Sequence, residues 1–210
     1  MQLYLLDATA VEGKCVDFLT IGGEELFDRP TDVAVNQDGS RIYVVDLGGI
    51  DSAKHQVQVF NADGEHIDTI GRRGVEGGEF NLPVQLATNS QDELFVLDAG
   101  NFRVQVFSPE GEYLRSWGKV GRNGGDFARP RGLAVDADGM VYVSDTAFGN
   151  FQVFRDDGQL LLAVGKSGVD KPGSYSLPAG IAVDDFGWVY VLDQRYRKLD
   201  VIKKLEVDDE

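Results

Sequence analysis

The chain has 210 residues, 42% of them hydrophobic, with 35 acidic against 20 basic side chains and a net charge of −15. The hydrophobic share is enough for a sizeable core and argues against wholesale disorder, while the acid excess repels a phosphate backbone and disfavours nucleic acid as a general partner. A single cysteine, Cys15, excludes an intrachain disulfide and any cysteine-rich metal site, and its alternating surroundings read as those of a buried thiol.

No apolar run approaches the roughly 20 residues that a membrane-spanning helix needs. Met1-Gln2-Leu3-Tyr4 lacks the basic residues that open a secretory leader, so no leader is read there, and the compartment stays open. In chain order, Met1 to Tyr4 and Cys15 to Ile21 read as two strands that complete a blade, 1–22. Four units follow, near 28–71, 82–118, 129–165 and 178–205. Each opens on a proline and an apolar strand, turns through polar residues, and ends a second strand on aspartate. The proline-to-aspartate distance is 16, 15, 15 and 15 residues for Pro30 to Asp46, Pro83 to Asp98, Pro130 to Asp145 and Pro178 to Asp193. A third strand alternates, as in Phe151-Gln152-Val153-Phe154. A Gly-containing turn (Asp63-Gly64, Glu110-Gly111, Asp157-Gly158) then leads to a fourth strand.

The aspartates recur after 52, 47 and 48 residues. A period near 50 with several short strands per unit is the mark of a propeller-like array of four-stranded antiparallel blades. The fold class expected is therefore all-β, a β-propeller of about four blades in one domain, 1–210. The expected strand count is 17, two at the N-terminus, twelve in three full units and three at the end. The first strand of each unit is the most apolar and is expected to be the most covered. Phe80 and Phe127, each ahead of a proline, are expected to plug between blades. The N-terminal strands are expected to pair with the hairpin near Gly180 to Asp193, because an exchange between termini removes open edges.

The third unit shows the pattern most fully, with Pro130-Arg131-Gly132-Leu133-Ala134-Val135-Asp136, Val141-Tyr142-Val143-Ser144-Asp145, and then Phe151-Gln152-Val153-Phe154. With its three companions it resembles the NHL repeat, over nearly the whole chain. The resemblance implies a β-propeller, usually six-bladed, so a four-bladed ring and a part of a six-bladed one both stay open. Some relatives bind protein or RNA, and others are hydrolases or lyases with a metal in the central channel.

The residues after each proline depart from the repeat and are expected to open onto the central channel. Asp32, Gln85 and Arg131 are polar there and are the candidate binding residues. The recurrent aspartates read as structural, accepting turn N–H groups or pairing with a strand-three arginine such as Arg103. Asp136-Ala137-Asp138-Gly139 lacks the remaining ligands of a calcium loop and reads as a hairpin turn. His55 and His66 read as solvated surface residues, and Tyr175, Trp188, Tyr196 and Phe148 as a contact surface, with packing between blades the alternative for Trp188 and Trp117. No catalytic residues, metal site or cofactor is expected. The function expected is a non-catalytic scaffold that binds a protein partner; the alternative is a channel-sited metal-dependent hydrolase or lyase, with Asp32 and Gln85 around the metal.

Overall fold

The computed structural model describes residues 2–6, 15–22, 26–49, 51–169 and 171–203, with side chains from Leu19 onward. The side chain of Cys15 and the end of the last expected unit, 204–205, lie outside the described residues. Strands β1 (Gln2–Leu6) and β2 (Cys15–Thr20) pair antiparallel. The first complete blade is β3 (Pro30–Val35), β4 (Arg41–Asp46), β5 (Gln56–Asn61) and β6 (His66–Ile70). The second is β7 (Pro83–Thr88), β8 (Leu94–Asp98), β9 (Arg103–Phe107) and β10 (Tyr113–Trp117). The third is β11 (Pro130–Val135), β12 (Val141–Asp145), β13 (Asn150–Phe154) and β14 (Leu160–Val164). A short parallel pair, β15 (Lys166–Ser167) and β16 (Ser174–Tyr175), precedes a three-stranded sheet of β17 (Pro178–Val183), β18 (Trp188–Asp193) and β19 (Lys198–Lys203).

Within each blade the strands lie in chain order and every pairing is antiparallel. The described residues thus hold the expected strands and the extra β15–β16 pair. That pair has counterparts in the two preceding linkers, the parallel bridges Arg73 to Phe80 and Val120 to Phe127. The proline-to-aspartate spacing is a register. Pro30 faces Asp46, Pro83 faces Asp98, Pro130 faces Asp145 and Pro178 faces Asp193. Proline has no N–H to give a ladder, so the first residue of a strand is where it fits.

The cores lie between blades. Tyr43, Val45 and Val57 of the first blade meet Phe80, Leu86 and Val96 of the second. Phe95 and Leu97 meet Phe127, Leu133 and Val143 of the third, and Tyr142 and Phe151 meet Tyr175, Ile181 and Val191 of the last sheet. Phe80, Phe127 and Tyr175 are the plugs, all fully buried. Each sits under a glycine, Gly71, Gly118 or Gly165. At Gly118 a Cβ would stand 2.5 Å from the Phe127 ring, and φ is +98°, so both space and backbone require glycine. Tyr175, expected on a contact surface, is instead the third plug.

Two expectations about exposure are corrected. Burial peaks in the second and third strands (β8 and β12 are buried throughout), whereas β3 is exposed or half-buried along its length. The first strands flank the open centre of the array, so only one of their faces is fully covered. His55 is completely buried, not solvated. Its Nδ1 accepts the Leu82 N–H at 3.1 Å, and its Nε2 lies 3.2 Å from the Gly49 carbonyl, so that nitrogen carries the proton.

The N-terminal strands also take a different partner. β1 and β2 form a two-stranded sheet apart from β17–β19. Leu19 and Ile21 pack on Phe27, Ile42, Val44 and Phe60 of the first blade. That apolar face takes the side chains of the N-terminal hairpin out of water.

Candidate functional site

The recurrent aspartates hold the frame. Asp145 accepts the Ala128 and Arg129 N–H groups on Oδ2 and those of Ala147 and Phe148 on Oδ1, at 2.7 to 3.2 Å. Asp193 repeats this with Ser176, Leu177, Arg195 and Tyr196. Burial pushes the Asp193 carboxyl up, but the four backbone donors outweigh it and hold its pKa below the ordinary value. Asp98 takes side-chain donors instead, Asn101, Arg103 and Gln105, beside the Asn81 N–H. There burial prevails and the pKa is raised. With the Asp98 oxygens so engaged, the Leu82 N–H goes to His55 of the blade before. The Asp136 carboxylate accepts the Asp138 and Met140 N–H groups and the Tyr142 hydroxyl, as Asp184 does for Phe186, Trp188 and Tyr190. Both are hairpin clamps. Among the described residues no group of three or more His, Cys, Asp or Glu side chains is arranged to hold a metal.

Held this way, the first strands converge on a central cavity of about 340 Å³. Arg29, Thr31 and Leu47 come to it from the first blade, and Val84 and Gln85 from the second. The third gives Arg131, and the last sheet gives Ala179, Gly180, Leu192 and Gln194. Of the three candidate residues, the structure places Gln85 and Arg131 on this wall. Asp32 is not among the lining residues. It is half-buried and accepts the Leu86 N–H at 2.9 Å, a tie to the second blade. Burial raises its pKa against the donors Leu86 and Val33. Gln85 makes the same tie one blade on, its Oε1 accepting the Leu133 N–H at 2.8 Å, but it also faces the cavity.

Arg29, Leu47, Leu192 and Gln194 are lining residues that the sequence pattern did not single out. A signal exists for two of them. In three of the copies the residue after the clamp aspartate donates its N–H to the carbonyl of the residue before the proline, Leu47 to Arg29, Thr146 to Arg129 and Gln194 to Leu177. In the first and last copies that register brings the position, Leu47 or Gln194, to the cavity wall. Arg29 and Arg131 are exposed, and among the described residues neither guanidinium has an ion-pair or hydrogen-bond partner.

Comparison with known proteins follows the fold. The NHL repeat family matches residues 80–107 and 127–155. No curated protein matches the chain. Among solved structures, a protein of unknown function from Bacteroides thetaiotaomicron is similar at 20% identity and a TM-score of 0.62, over 82% of this chain and 46% of that one. Hydrazine synthase of Kuenenia stuttgartiensis is similar at 16% identity and a TM-score of 0.63, over 85% and 47%. The nidogen/laminin complex gives 19% identity and a TM-score of 0.57, over 84% and 65%. The chain spans about half the length of the first of these. At such identities the likeness is one of fold. Four sheets in propeller array and the repeats themselves agree, and the chain is a β-propeller that carries NHL repeats at 80–107 and 127–155.

Proposed function

We propose that this chain is a non-catalytic scaffold that binds a protein partner across the face where its central cavity opens. One observation carries the reading: a single cavity collects side chains from the first three blades and the last sheet, with two exposed arginines that have no partner among the described residues. Such a surface presents many contacts from rigid strand ends, which is what a partner-binding face needs. The groups able to move protons are meanwhile committed to the frame: the clamp aspartates accept backbone N–H groups, and His55 ties two blades. A propeller within the nidogen/laminin complex is a precedent of fold for assembly.

The test blocks the mouth by bulk without changing charge. Thr31→Trp and Ala179→Trp together should abolish co-purification of the partner that the wild-type chain retains at fixed stoichiometry, with an unchanged melting curve. A complex that survives both substitutions overturns the reading. The alternative, a channel-sited metal-dependent hydrolase or lyase, has fold neighbours in streptogramin B lyase and the virginiamycin B lyase of Staphylococcus aureus. Stoichiometric divalent metal after dialysis, lost in Gln85→Ala, would favour it.

A further inference from the structure

We infer that the central cavity is a carboxylate site, taking an oxyanion head between Arg29 and Arg131 and a short apolar stem against Leu47, Val84 and Leu192. The inference rests on the partner-binding reading of the same face and names the chemistry that face would recognise. The sign of the ligand follows from what is missing from the wall. The chain has 35 acidic residues against 20 basic ones, yet none of the ten residues around the cavity carries a carboxylate and two carry guanidinium groups. The nearest recurrent carboxylates are spent elsewhere, since Asp46 accepts the Asp28, Arg29 and Gly48 N–H groups. Among the described residues neither arginine forms an ion pair.

Gln85 adds a neutral donor. Its Oε1 is fixed on the Leu133 N–H, which leaves its amide NH2 without a partner among the described residues. Guanidinium groups bind carboxylates through paired, charge-assisted bonds. The apolar part of the wall selects for a carboxylate on a hydrocarbon stem over a bare inorganic anion. Such a group comes either from a glutamate side chain of a partner or from a free dicarboxylate.

Calorimetric titration of the full chain distinguishes these sources. The probes are a blocked pentapeptide with one glutamate between leucines, its glutamine counterpart, and glutarate. The glutamate peptide is expected to bind, and the glutamine one to bind about tenfold or more weakly. Arg29→Gln and Arg131→Gln, both exposed and so neutral for folding, should each weaken the glutamate peptide by about tenfold. Binding of glutarate alone upholds the carboxylate site while counting against a protein partner. Equal binding of the two peptides, or unchanged affinity in the Arg29→Gln/Arg131→Gln chain, overturns the inference and leaves the bulk-blocking test of the partner face standing. Absence of binding by glutarate and by the glutamate peptide at millimolar concentration overturns it too.

Discussion

Asp145 shows what one residue of the repeat contributes. It is fully buried and its two oxygens satisfy four backbone donors, two just before β11 and two just after β12. Asp145→Ala would strand those donors, at a cost of about 3 kcal/mol or more in urea unfolding. Asp193 and Asp98 occupy equivalent places but differ in pH response. The Asp193 pKa is lowered in the fold, so its contribution is present above the ordinary carboxylate value of about 3.9 and is lost as pH falls through the folded pKa. The Asp98 pKa is raised by burial, so its contribution is full below that value and declines as pH rises through the folded pKa. Carboxyl NMR titration should place Asp193 below about 3.9 and Asp98 above it, and the reverse order would refute the assignment. The clamp role was legible because a carboxylate at one place in every copy, ahead of turn residues, has backbone donors within reach. His55 was not legible. It stands in an insertion unique to the first unit, and only the absorbed Asp98 and the left-handed Leu82 (φ +52°) explain why a ring nitrogen is needed there.

Between elements, one strand position sets how closely blades approach. Asp32 and Gln85 reach across to the next first strand with a hydrogen bond, and the third copy has Gly132 instead. A Cβ at Gly132 would meet the Ala179 carbonyl oxygen at 2.9 Å and the Ser144 Oγ at 2.7 Å. The third interface is therefore closed by contact where the first two are tied by polar side chains. Gly132→Ala should push β17 away from β11 and cost about 1–3 kcal/mol. Gly125→Ala, with open space but φ +85°, should cost about 1 kcal/mol from the backbone alone. Equal thermal shifts for the two would show that blade contact is not what Gly132 protects. The strands themselves were plain in the sequence, because proline spacing fixes the register and glycine fixes the turns. The burial gradient was not: an apolar first strand says that one face is covered, and the openness of the channel on the other face is a property of the array. Asp32 is polar at a position next to the wall but does not line it. Its carboxylate is drawn to the Leu86 N–H of the next blade, whereas Gln85, one blade on, makes the same tie and still reaches the cavity.

For the whole molecule, the order of blades follows from stacking, since each buries its face only against the next. The last sheet has three strands among the described residues, and an apolar cavity of about 400 Å³ lies beside it, lined by Tyr142, Phe151, Leu162 and Ile202 among others. At the other end β2 covers the first blade. A Cβ at Gly64 would stand 2.6 Å from Leu19 and 2.9 Å from Ile21, so these side chains seat directly on the hairpin turn. The same seat recurs along the array, Ile70 on Gly111 and Trp117 on Gly158. The N-terminal hairpin therefore does for the first blade what each fourth strand does for the blade after it. The exchange between termini expected from edge chemistry gave way to this face burial. Removing residues 1–22 should uncover Phe27, Ile42, Val44 and Phe60 together, a contiguous apolar face of the kind that drives self-association. The truncated chain is expected to unfold at a lower temperature and to run as oligomers in size-exclusion chromatography with light scattering. Leu19→Asp should reproduce the effect in part within the full-length chain, because it places a charge against the same cluster. A truncated chain that stays monomeric with an unchanged melting curve would mean that the hairpin does not cover this face in solution.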